Sequence, residues 1–192
     1  MSSVTQAFLD ELYRRSSDPW SFRTSDYERR KYAATLAALD REHYSTILEI
    51  GCGNGELARS LHQRCELYVG VDAVAIALDE ARRAVPSGRF SQVYLPDELP
   101  ACDPELIVLS EILYFLDREC LSMLAAQLNH RWAMAELLFV NMLGDTGNAL
   151  SGEDALQHFI NELKSDYPLV EVARTGDYRI DRLPRAAAGV RL

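Results

Sequence analysis

Residues 48–56 read LEIGCGNGE: an apolar run that ends in an acid, followed by three glycines on alternate positions. The run TILEI just upstream is short, apolar and β-branched, as a buried strand requires. A helix is expected from Gly55 to about Gln63. A glycine loop between a buried strand and a helix lies, after right-handed crossovers, at the C-terminal edge of a parallel sheet, where such folds bind ligands.

The rest of the chain repeats that alternation. ELYVGVD, RFSQVYL, ELIVLSE and AELLFVNML read as further strands, and AVAIALDEARRAV, DRECLSMLAAQLNH and EDALQHFINELKS as helices. YPLVEVART and DYRIDRL are joined by a Thr-Gly turn and read as a hairpin. Two helices precede the first strand, at residues 4–15 and in SDYERRKYAATLAAL, where Ser25 or Asp26 is a candidate N-cap. The tail PRAAAGVRL has no pattern. The expected fold is α/β and Rossmann-like: a seven-stranded, mostly parallel sheet ending in an antiparallel hairpin. One domain is expected over 1–192, with an N-terminal helical part at 1–40, which the resemblance given below makes a lid, and an α/β core at 45–183.

The 192 residues carry 20 Lys and Arg against 29 Asp and Glu, a net charge of −9. That balance offers no basic footprint for nucleic acid. Arg29, Arg30 and Lys31 cluster, but Glu28 and Asp26 stand beside them, and the group reads as a solvated helix face. MSSVTQAFLDELYRR is not a signal peptide, and no apolar run approaches the ~18 residues of a membrane span. A soluble cytoplasmic protein is expected. Cys52, Cys65, Cys102 and Cys120 lack metal-finger spacing and read as reduced thiols, so no metal is expected.

The glycine order is G-x-G-x-G, not the G-x-G-x-x-G of nicotinamide-binding folds. Glu56 occupies the position of the third glycine there, and a carboxylate at that helix N-terminus discourages a pyrophosphate. No Gly-Lys-Ser/Thr follows, so it is not a P-loop. Asp72 ends the second strand, where a carboxylate can accept both hydroxyls of a ribose. Glu49 can hold a cationic part of the same ligand. Together they suit an adenosyl group with an amino-acid tail, as in S-adenosylmethionine (SAM). The alternative is that the glycines only make a tight turn.

With these features the chain resembles the class I SAM-dependent methyltransferases: LEIGCGNGE is similar to their first motif, VGVD to their ribose-binding acid and DPELIVLSEILYFL to their fourth-strand motif. DPWSFRTSDYERRKYAATLAAL, ILEIGCGNGELARSLHQRC and LIVLSEILYFL also resemble the rhizobial NodS-like family, which N-methylates a free amine of a partly deacetylated chitooligosaccharide during Nod-factor synthesis. Two departures stand out. No Pro-Gly-Gly turn precedes the fifth strand, and Asn141-Met142 replaces a His-Trp pair at its end.

The resemblance implies SAM as cofactor, S-adenosylhomocysteine (SAH) as product, and roles for particular residues. Gly51, Cys52, Gly53 and Gly55 would approach the methionine part, Glu49 and Asp72 would take the cofactor's polar ends, and Ala73, Leu95 and Pro96 would meet the adenine. Ser110 would lie at the same edge. Trp20, Tyr27 and Lys31 would come from a helical lid, with Lys31 or Arg30 meeting the methionine carboxylate; core packing and surface charge are the alternatives. Glu111 is the candidate catalytic and acceptor-binding residue, because a carboxylate can bind an ammonium and take its proton. Tyr114 and Asn141 are the other candidates for the acceptor. The partner is a small-molecule or oligosaccharide acceptor, with no nucleic acid, membrane or obligate protein partner implied. Competing readings are a small-molecule O-methyltransferase and a SAM-binding protein without transfer. A nicotinamide oxidoreductase is disfavoured by Glu56.

Overall fold

The structure is a computed structural model and describes residues 4–184, so the tail beyond Pro184 lies outside the described residues. Seven strands form one sheet in the order β3-β2-β1-β4-β5-β7-β6. They are β1 (Tyr44–Ile50), β2 (Cys65–Asp72), β3 (Arg89–Gln92), β4 (Leu106–Ser110), β5 (Glu136–Met142), β6 (Val170–Arg174) and β7 (Tyr178–Leu183). The first five are parallel. β7 runs antiparallel to β5, and β6 antiparallel to β7. The strand order reverses between β1 and β4, so the C-terminal ends of β1, β2 and β4 surround a switch point.

The parallel strands are apolar on both faces because helices cover both. Leu48, Ile50, Ile107, Leu109, Leu137 and Phe139 face α5 (Arg118–Arg131) and α6 (Gly152–Glu162), whose Leu121, Leu124, Leu128 and Phe159 complete that core. The alternate residues Ile47, Tyr68, Val108, Leu138 and Val140 build the opposite core with Ala58 and Leu61 of α3 (Ala58–Leu61). A smaller cluster sets Tyr13 of α1 (Gln6–Arg15) against Val74 and against Ala77 of α4 (Ala75–Ala84).

The helix starts follow their capping residues. Ser25 Oγ accepts from the Glu28 N–H and starts α2 (Asp26–Ala37); Asp117 and Ser151 do the same for α5 and α6. Two expectations need correction. The helix after the glycine loop begins at Ala58 and ends as a 3₁₀ turn, His62–Arg64, because Gly55 is left-handed at φ +82° and cannot be helical. The face around Lys31 is not solvated: Lys31 is 3% and Glu28 7% exposed, while Arg29 and Arg30 do face solvent. Among the described residues no helix is long and apolar enough to cross a membrane.

Candidate active site

A cavity of about 260 Å³ opens at the switch point. Gly51 and Gly53 form its floor, with Asp72 and Ala73 beyond β2 and Ser110 and Glu111 beyond β4. The N-terminal segment covers it. Val4 N–H donates to the Phe115 carbonyl at 2.9 Å, and the Tyr94 hydroxyl donates to the Val4 carbonyl at 2.9 Å. Asn54 Nδ2 donates to Asp18 Oδ1 at 3.0 Å. Arg23 donates to Glu56 at 3.1 Å and to Glu80 at 2.6 Å. Trp20 packs among Tyr13, Phe22 and Phe115, with ring centroids 5.5, 5.7 and 6.3 Å away.

One end of the cavity is apolar apart from Asp72. Asp72 Oδ2 accepts from the Gly53 N–H and Oδ1 from the Val74 N–H, each at 2.9 Å. Burial raises its pKa, and these backbone donors oppose the rise. Leu95, Val74 and Phe115 line the cavity with it. This end suits a flat apolar body carrying hydroxyls.

The other end is charged. Lys31 Nζ donates to Glu111 Oε1 at 2.9 Å and to Glu28 Oε1 at 3.0 Å, and lies 5.0 Å from the centre of the Tyr27 ring. Burial alone would lower the Lys31 pKa, but Glu111 and Glu28 outweigh it and hold the ammonium above its ordinary value. Glu111 Oε2 accepts from the Tyr114 hydroxyl at 2.6 Å and from the Met142 N–H at 3.1 Å. Its backbone is left-handed at φ +55°, a strained conformation for a residue with a side chain. Burial, then the Glu111 charge, drives the Tyr114 phenol pKa upward, so the hydroxyl stays a donor.

Most of the residues singled out in the sequence meet here: Trp20, Tyr27, Lys31, Gly51, Gly53 and Asp72 line the cavity, as do Ala73, Leu95, Ser110, Glu111 and Tyr114. Glu49 and Cys52 instead line a small adjoining recess of about 40 Å³ behind the loop. Glu49 sits on the strand face shared with Tyr68, whose hydroxyl donates to it. Three positions are not at the cavity. Gly55 is pressed against Ala81 of α4. The Pro96 carbonyl turns to the Gln127 side chain, 2.6 Å away. Asn141 is fully buried against Gly152, with neither amide atom hydrogen-bonded, and the adjacent Met142 lines the cavity because strand side chains alternate. Glu28, Tyr13 and Phe22 were not read as site residues in the sequence, and Met142 was singled out only as half of the Asn141-Met142 departure. For Glu28 the only signal was its spacing, three residues before Lys31 on one helix face.

The family model for nodulation protein S (NodS) matches residues 5–138. A candidate methyltransferase of solved structure from Pseudomonas syringae is 33% identical, with a TM-score of 0.70 over 83% of this chain and 99% of that one. The N-methyltransferase NodS from Bradyrhizobium japonicum WM9, solved with SAH, has a TM-score of 0.77 at 19% identity over 96% of this chain and 100% of that one. The DhpI–SAH complex has a TM-score of 0.74 at 13% identity, over 94% and 96%. No curated protein matches the sequence.

Proposed function

The chain belongs to the NodS family and is a SAM-dependent methyltransferase, and from that membership we propose that it N-methylates a free amine of an amino sugar, of the kind found on a partly deacetylated chitooligosaccharide. The observation that carries the amine is Glu111: a carboxylate at the end of β4, aimed by Tyr114 and the Met142 N–H at the charged end of the cavity. Family membership supports the same reading, since one member of known structure is an N-methyltransferase solved with SAH.

The residues present fit the cofactor. Asp72 suits the ribose hydroxyls, Ala73, Leu95 and Phe115 the adenine, and Lys31 the methionine carboxylate. When bound, SAM supplies an electrophilic methyl on a sulfonium. The chain then has three tasks. Residues 4–40 act as a lid, and its aromatic side chains exclude water. The glycine loop and Ser110 set the approach of the acceptor to the methyl. Glu111 binds the acceptor ammonium and takes a proton from it, so that a neutral nitrogen can attack.

A mass-spectrometric transfer assay tests this. SAM and protein are incubated with a chitooligosaccharide bearing one free terminal amine, beside its fully acetylated twin. A methyl added only to the free amine is expected. Transfer to both, or to the twin alone, would point to a hydroxyl acceptor and sink the amine reading. Glu111→Gln should keep SAM binding and lose roughly 10²–10⁴-fold in turnover, the usual worth of a general base.

A further inference from the structure

Lys31, Glu28 and Glu111 form a buried triad at the charged end of the cavity; the Lys31 side chain is 4% exposed, Glu28 9% and Glu111 15%. Both Glu111 oxygens are engaged, Oε2 by Tyr114 and the Met142 N–H and Oε1 by Lys31. Three donors fill three of the four acceptor sites of the carboxylate, and the one that remains is on Oε1 beside the Lys31 ammonium, where an arriving ammonium would meet a like charge. Lys31 is also the only cation among the described residues that line the cavity or its recess, against the carboxylates of Asp72, Glu28, Glu56 and Glu111. A ligand carboxylate arriving there has one charge to pair with.

We propose that Lys31 exchanges partners. Without cofactor it holds Glu111; when cofactor binds it turns to the methionine carboxylate, and Glu111 is released to take the acceptor ammonium. Cofactor therefore binds before acceptor. The proposal rests on the amine reading above for its second half only.

The exchange follows from the cost of a buried charge. An ammonium this deep does not give up a carboxylate without gaining another partner, because an under-paired buried charge is strongly disfavoured. It can leave for another carboxylate. Glu28, one helical turn away on α2, keeps hold of Lys31 throughout, and the flexible lysine stem lets Nζ swing between the two anions. The triad is also one cation short as it stands. Glu28 Oε2 is buried without a hydrogen bond, with Tyr32 facing that carboxylate but outside hydrogen-bond geometry. A zwitterionic ligand tail followed by an ammonium brings the charges toward balance. By linkage, whatever the cofactor carboxylate contributes to acceptor affinity the acceptor returns to cofactor affinity.

Calorimetric titration with SAH and with 5′-methylthioadenosine, which has the same nucleoside but no carboxylate, separates the two ends of the cavity. Glu111→Gln removes a competitor for Lys31, so it should tighten SAH at least threefold and leave 5′-methylthioadenosine unchanged. In a Lys31→Met background the same change should leave SAH unchanged. Retained 5′-methylthioadenosine binding shows that each variant is folded. An equal effect of Glu111→Gln with and without Lys31, or no effect on SAH, overturns the exchange. Glucosamine then serves as the amine probe, expected to bind the wild type at least tenfold tighter with SAH than with 5′-methylthioadenosine. Equal affinity in both overturns the exchange. Glucosamine binding with neither, while the Glu111→Gln effect holds, supports the exchange and sinks the amine reading.

Discussion

Glu49 carries a carboxylate into the sheet, where it is 2% exposed. Burial pushes its pKa from 4.5 up to about 8, and the Tyr68 hydrogen bond only partly opposes this. The folded chain thus holds a proton that the unfolded chain has already released. Stability from this group is present below pH 4.5 and is lost as pH rises through about 8. Glu49→Gln removes that slope. Wild type and variant should melt alike near pH 4.5, with the variant higher above pH 8. The gap is on the order of a few kcal/mol at most, since each pKa unit is worth about 1.4 kcal/mol. Glu136, pushed by burial to about 7, tilts both proteins alike, so calorimetric melts must be read as a difference. A constant offset across the whole range would count against the assignment.

At the scale of elements, the turn from β1 into α3 depends on Gly55. Its φ is +82°, and a Cβ there would stand 2.8 Å from the Ala81 Cα of α4. Backbone cannot give way as a side-chain tip can, so Gly55→Ala should cost roughly 1–3 kcal/mol or more. The check is a shifted denaturation midpoint at constant slope. The strand and helix order was legible in the sequence because the apolar runs carried their own periods and four of the long helices, α1, α2, α5 and α6, their own caps, while α4 showed only its period. Asp72, the glycine loop and Glu111 were legible for a related reason: the ends of strands β1, β2 and β4 converge wherever a doubly wound sheet forms. Glu28 was hidden. A charge on α2 reads as solvated until a second layer of chain is known to lie on it. Asn141 was misplaced by one residue of a strand, which is enough to change face.

Across the whole molecule, the N-terminal segment is fastened to the core at separate points: Val4 on Phe115 and Tyr94, Asp18 on Asn54, and Arg23 on Glu56 and Glu80. The Arg23 pairs are partly exposed and each is worth a fraction of a kcal/mol to about 1 kcal/mol. Arg23→Ala should therefore speed SAH release by only a few-fold, measured by stopped flow, with the effect shrinking as salt rises. No change at any salt would show that Arg23 is not a fastening, and a hundredfold change would show that it holds more than these two partly exposed pairs. Glu56 carries a consequence for descent. It fills the slot where nicotinamide-binding folds keep a glycine, and it also grips the cover through Arg23. A lineage that exchanged Glu56 for glycine to admit a pyrophosphate would loosen its cover in the same step.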